Sequence, residues 1–202
     1  MTSVIRRDLL AISNLVQHHS RVLELGCNEG DLLEHLQNTK DVDGRGIEIS
    51  HAGVSSCLAK GLSVVQGNVE QDLGHYPDKC FDYVISSQVL QATHNPKDVL
   101  ADMLRIGKRV IVSIPNFGHW KNRLFLALRG RMPVTSALAY QWYETPNIHF
   151  CTVKDFEVLV AELGGHITDR LYLDEDGSEL NSFMARSCNI FASKAVYTIA
   201  LS

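Results

Sequence analysis

Glu24, Gly26, Asn28 and Gly30 stand at alternate positions in the stretch Arg21-Val22-Leu23-Glu24-Leu25-Gly26-Cys27-Asn28-Glu29-Gly30-Asp31-Leu32-Leu33, a spacing suited to holding a small charged ligand against bare backbone. An apolar run enters a glycine turn, and behind the turn Leu32, Leu33 and Leu36 share one helical face, so a buried strand, a tight loop and a helix N-terminus follow in succession. Such a junction gathers free backbone N–H groups and the positive end of a helix dipole, which suits an anionic or zwitterionic group. The glycine pattern excludes a dinucleotide fingerprint, because with Gly26 as its first glycine the second falls on Asn28 and the third on Asp31. Asn is one of the few residues that tolerate positive φ, so the turn still forms with Asn28. A second acidic residue, Glu48, lies 22 positions after Gly26 at the end of another apolar run. There its carboxylate is placed to accept hydrogen bonds from two ribose hydroxyls. The alternatives are a purely structural turn and a solvated strand-end glutamate.

These residues need a frame, and the periodicity supplies one. Ile5, Leu9, Ile12 and Val16 give one apolar face to a helix from about Ser3 to Gln17, expected to cover the sheet edge or the mouth of the ligand site. Strands are expected at Val22–Leu25, Asp43–Ile49, Leu62–Gln66, Phe81–Gln88 and Arg109–Ile114. Helices are expected at Asp31–Asn38, His51–Lys60 and, opened by Pro96 and stopped by Gly107, over Val99–Leu104. Alternation of strand and helix predicts a mostly parallel α/β sheet with helices on both faces. Thr152 to Asp155 resembles a capping box and opens a helix through Leu163. His166–Leu173 and Cys188–Ala195 read as two closing antiparallel strands, with a polar loop from Asp174 to Arg186 between them.

The 202 residues suit one domain, with an irregular segment inserted at about 115–151. Both Trp, two of six Tyr and two of five Pro fall between Trp120 and Pro146. Such a segment forms its own small core, a lid, or a docking surface for another protein. A net charge of −4 without long basic runs argues against nucleic acid. The cluster Lys121, Arg123, Arg129 and Arg131 reads as a solvated helix face. Five scattered cysteines show no zinc or disulfide spacing and suggest a reducing compartment. No leader pattern and no apolar span of membrane length is legible, so a cytoplasmic location is expected.

Glu24 two positions before Gly26, followed by Gly30, resembles motif I of class I S-adenosylmethionine (SAM)-dependent methyltransferases, usually E/D-x-G-x-G-x-G, with Asn28 as a departure. The resemblance implies the Rossmann-like fold of that class. Its members usually carry Asp after the third strand, accepting from the adenine amino group; here Asn68 offers a neutral acceptor or is simply a turn residue. The cofactor contacts implied are Glu24, Gly26, Asn28, Gly30, Glu48, Ile49, Asn68, Val69 and Ser87, for SAM or S-adenosylhomocysteine, with no metal.

Further blocks are more specific. Ser87-Gln88-Val89-Leu90-Gln91-Ala92-Thr93, Leu104-Arg105-Ile106-Gly107, Pro115-Asn116-Phe117-Gly118-His119-Trp120, Arg131-Met132-Pro133-Val134-Thr135, Trp142-Tyr143 and Thr145-Pro146-Asn147-Ile148-His149 closely resemble the MetW family of methionine biosynthesis proteins. That resemblance runs from about Ile5 to Ala195. It implies a methyltransferase fold that partners or activates homoserine O-acyltransferase, sensing SAM as the pathway's end product, rather than a simple methyltransferase. The alternative is a SAM-dependent methyltransferase acting on a small molecule. No Asn-Pro-Pro-Tyr motif, cysteine with a basic partner or strand-end carboxylate pair marks a catalytic centre. His119, His149 and Tyr143 are the residues to test.

Overall fold

The structure is a computed structural model that describes residues 5–135, 138 and 140–201. In chain order it contains α1 (Arg7–Leu15), β1 (Arg21–Leu25), α2 (Asp31–Lys40), β2 (Asp43–Glu48), α3 (His51–Ala59), β3 (Ser63–Gln66), α4 (Val69–Asp72), β4 (Phe81–Ser87), α5 (Pro96–Ile106) and β5 (Gly107–Pro115). There follow α6 (Trp120–Arg129), α7 (Val153–Glu162), β6 (Gly165–Leu173), α8 (Ser182–Ala185), α9 (Cys188–Phe191) and β7 (Lys194–Leu201). The strands form one sheet in the order β3-β2-β1-β4-β5-β7-β6. β1 to β5 are parallel neighbours, and β7 runs antiparallel between β5 and β6. This is the Rossmann-like sheet that the sequence pattern predicts.

The pleat of β1 shows how the core is divided. Val22 packs with Ile12 of α1, Val16 just beyond it, and Leu32 and Leu36 of α2. Leu23 and Leu25, on the opposite face, join Leu100 and Met103 of α5 and Phe156 and Val160 of α7. Side chains two apart share a face, so Glu24 points with Val22 toward the side of α1 and α2. β1 is also where the order reverses, with β2 on one side and β4 on the other. In open α/β sheets the crevice beyond the carboxyl ends of such strands is the natural ligand site.

Local signals are mostly obeyed. The box at Thr152 is complete: the Thr152 N–H donates to Asp155 Oδ2 at 2.9 Å, and the Asp155 N–H donates to Thr152 Oγ1. Helix α1 begins later than the periodicity suggests, and the expected start at Ser3 lies outside the described residues. The last strand is a correction. Cys188–Ala195 does not form it: Cys188–Phe191 is a helical turn closed by N–H donation from Ile190 and Phe191 to the Ser187 carbonyl, and the strand is Lys194–Leu201. β7 lies between two strands and under helices, so it takes the mostly apolar run from Ala195, whose residues through Ile199, Thr198 included, are buried. The loop after β6 likewise holds α8, capped by Asn181 Oδ1. Among the described residues no helix is long and apolar enough to cross a membrane.

Candidate functional site

Gly26 (φ 65°), Asn28 (φ 49°) and Gly30 (φ 79°) all adopt the left-handed conformation in the turn from β1 to α2. A Cβ at Gly26 would lie 2.5 Å from Val89 Cγ2, so this position is closed to larger residues by geometry as well as by φ. Glu48 holds the turn in place. Its Oε2 accepts the Asn28 N–H and its Oε1 accepts the Ser50 N–H, each at 2.8 Å, and the side chain is 5% exposed. Beneath the turn, Cys57 Sγ donates to the Asn28 carbonyl at 3.2 Å and lies 4.0 Å from Cys27 Sγ. Burial raises both thiols, which remain neutral small side chains.

Glu24 is the unusual member of the set. It is 4% exposed, and among the described residues its Oε2 has no hydrogen-bond partner. Burial pushes its carboxyl up to about 8; the charge of Asp31 adds to the effect, the Leu33 N–H opposes it, and Glu48 adds a smaller push. An unpaired buried carboxyl is costly, and this one faces a cavity.

That cavity, of about 270 Å³, is lined mostly by polar groups, with Glu24, Gly26, Asn28 and Ser87 of the expected residues among them. A second cavity of about 260 Å³ shares Gly26 with it and is also lined by Ile49, Asn68, Val69, Val89, Thr93 and others. Together they reach the size of small-molecule sites, roughly 300–1,000 Å³. Ile49 is 67% exposed at the rim of the second cavity, an apolar side chain left for a flat ring to cover. Two expected residues, Gly30 and Glu48, line neither cavity and instead shape the turn. Asn68 does both jobs: it lines the second cavity, while its Oδ1 accepts the Glu70 N–H at 3.0 Å as the cap of α4. One lone pair of the oxygen expected to meet adenine is therefore engaged in the cap.

The cavities also recruit residues that carry no motif. Arg6 and Leu9, from the start of α1, wall the polar cavity, so α1 does cover the mouth. It is held there by Asp8, 3% exposed, which accepts from Arg6 at 3.0 Å, from Lys194 of β7 at 3.2 Å and from Gln88 beyond β4 at 3.2 Å. Burial raises the Asp8 carboxyl, but Arg6 and Lys194 outweigh it and hold the group below its usual range. Periodicity places α1, but two of the three partners of Asp8, Gln88 and Lys194, are distant in sequence and leave no signal there.

The region beyond β5 is built differently. The N–H groups of Ile148 and His149 both donate to the Gln91 carbonyl, at 2.9 and 3.0 Å, and His149 Nε2 lies 3.2 Å from the His94 carbonyl. Phe150 stacks on Phe117 at 4.9 Å. The space lined by Pro115, Asn116, Phe117, Asn147, His149 and Cys151 measures about 10 Å³, room for about one water. None of the three catalytic candidates lines either large cavity. His119 is buried beside Trp120, its imidazole lowered by burial against the pull of Glu175. His149 is exposed at the edge of the small space, and Tyr143 is 65% exposed.

The sequence profile of the family described as methionine biosynthesis protein MetW matches residues 6–199. The chain belongs to the MetW family. This MetW chain is 30% identical over 178 residues to the bifunctional methionine biosynthesis protein MetXA/MetW of Rhodopirellula baltica, covering 84% of this chain and 29% of that protein. It is 25% identical over 153 residues to ajmaline N-methyltransferase of Rauvolfia serpentina, covering 70% of this chain and 50% of that one. It thus spans half or less of the length of the curated relatives it matches. Among solved structures, a SAM-dependent methyltransferase from Archaeoglobus fulgidus superposes with a TM-score of 0.69 at 15% identity, over 95% of this chain and 90% of that one. The MetW chain therefore has the methyltransferase fold within a methionine biosynthesis family.

Proposed function

We propose that this chain is a SAM-binding regulatory partner of homoserine O-acyltransferase. The observation that carries the reading is the contrast along the carboxyl edge of the sheet: two open cavities that share Gly26 as a wall, and, beyond β5, a space of only about 10 Å³. The unpaired Glu24 oxygen fits an α-ammonium group, with Arg6 the cation on the same wall for a carboxylate, and Ile49, Val69 and Val89 fit the faces of an adenine ring. Glu48 would support the ribose end through the turn it anchors. SAM supplies an electrophilic methyl group; on this reading the 147–151 segment, bound to the Gln91 carbonyl, takes the place of a methyl acceptor. Fusion of a MetW segment with MetXA in the Rhodopirellula relative supports the acyltransferase as partner.

The test is acyl transfer to homoserine by the enzyme of the same organism, alone and with this chain, each with and without SAM. The expected result is a faster rate on mixing, together with SAM-induced thermal stabilisation; a ligand at 100 times its Kd adds about 2.7 kcal/mol. The second reading, a small-molecule methyltransferase, is favoured by the similarity to a named N-methyltransferase. Steady S-adenosylhomocysteine production with a cellular small molecule, and no effect on acyl transfer, would establish it instead.

A further inference from the structure

Helix α6 is ten residues long, yet its one buried side chain is Asn122. Trp120, Leu124 and Leu128, spaced four apart on one stripe, are 41%, 49% and 75% exposed. With Phe125, Lys121 and Arg129 they line a groove of about 210 Å³. A helix normally turns such a stripe inward; here the apolar face is outside and the polar anchors are inside. Asn122 donates to the Phe117 carbonyl at 3.2 Å and accepts from Thr135 Oγ1 at 3.1 Å, and Arg123 Nε donates to the Gly118 carbonyl. The face is thus held ready before anything covers it, and an ordered apolar stripe of this kind marks a contact surface.

The rim decides what covers it. Residues 120–131 include Lys121, Arg123, Arg129 and Arg131 and no acid. The Arg129 guanidinium lies 5.2 Å from the Phe125 ring centroid, and Lys121 lies 5.9 Å from that of Trp120 while meeting Glu175 at 2.7 Å. A two-fold contact with a second copy would set this patch against itself, bringing cations at both ends of α6 against cations. An apolar stripe with a basic rim instead complements an apolar patch or helix bordered by Asp and Glu, and Trp and Arg are the residues that anchor such contacts.

We infer that the outer face of α6 is the surface on which the acyltransferase docks, through an apolar patch with an acidic border. The inference rests on the partner reading above and narrows it to one helix. The test measures binding of the purified homoserine O-acyltransferase to the full chain, to Leu124→Asp/Leu128→Asp and to Arg129→Glu. Circular dichroism and SAM-induced thermal stabilisation serve as checks that each variant is folded. Both side chains are exposed, so the double variant is expected to fold and bind SAM normally while losing at least about tenfold in acyltransferase affinity. Arg129→Glu is expected to weaken binding and to flatten its salt dependence. Wild-type binding matched by the double variant would overturn the α6 surface and leave the partner reading standing. No wild-type binding would overturn both. A dimer of this chain that Leu124→Asp/Leu128→Asp dissolves in sedimentation would assign the face to a second copy and overturn the inference as well.

Discussion

Glu24 concentrates the chemistry of the site in one carboxyl group. Its ordinary value is 4.5 and burial raises it to about 8, so between these two limits the folded chain holds a proton that the unfolded chain has released. Ligand-free stability therefore falls as pH rises through that window. Glu24→Gln does not titrate, and at pH 8 it is expected to melt higher than wild type, each kcal/mol being worth roughly 2–4 °C in a chain of this size. The same substitution is expected to weaken SAM binding by about tenfold or more, since the charge-assisted contact to an ammonium is lost. Wild-type affinity is expected to rise with pH up to about 8, as less work is needed to ionise Glu24, and titration calorimetry in two buffers would register the released proton. Opposite signs for stability and binding distinguish a ligand contact from a merely structural glutamate. Gly26→Ala is expected to lose both together, by about 1–3 kcal/mol of stability, because the added methyl meets Val89 at 2.5 Å in a left-handed turn. Thermal melts with and without SAM check this.

Among the elements, α1 depends most on contacts far along the chain. Asp8 ties it to Gln88 after β4 and to Lys194 at the start of β7, so the helix walling the polar cavity is clamped to the two strand ends beside it. Asp8→Asn leaves Lys194 and Arg6 without their carboxylate and is expected to cost about 2–4 kcal/mol. SAM binding should weaken beyond what this loss of stability alone explains, because Arg6 and Leu9 leave the cavity wall although Asp8 does not line it. Asp8 titrates below its usual range, so its contribution is present at neutral pH and is lost on acidification through that lowered value. Chemical denaturation and SAM titration of the variant test both parts. The segment 147–151, bound to the Gln91 carbonyl, is the second such clamp and borders the apolar cavity through Ala92, Thr93 and His94.

For the whole molecule, the two cavities and α6 are both reached from the carboxyl edge of the parallel strands: the first lie in the loops after β1, β2, β3 and β4, and the second follows β5. The proposed SAM sensing requires that a ligand in the cavities bias the contacts made by α6. Saturating SAM is expected to change the acyltransferase Kd by about 5–150-fold, with the enzyme changing the SAM Kd by the same factor, since coupling is reciprocal. Surface titrations in both directions measure it. Equal Kd values with and without SAM would show docking without sensing.

The strand and helix succession was legible because each element buries one face and so carries its own period: Leu32, Leu33 and Leu36 announce α2, and Val99, Leu100, Met103 and Leu104 announce α5. The turn was legible because left-handed φ restricts residues 26, 28 and 30 to Gly and Asn, and the motif blocks carried the family. The closing strand was misplaced because β7 is buried on both faces from Ala195 to Ile199, and a run with no alternation has no period to mark its ends. Long-range contact alone decided the rest: that Glu24 is buried with an oxygen unpaired among the described residues, that Glu48 spends its carboxylate on the turn, that Asp8 gathers Gln88 and Lys194, and that α6 turns its leucines outward. Each of these depends on which residues meet across the sheet or leave a surface uncovered, and local sequence encodes conformation but not the neighbours that folding brings to it.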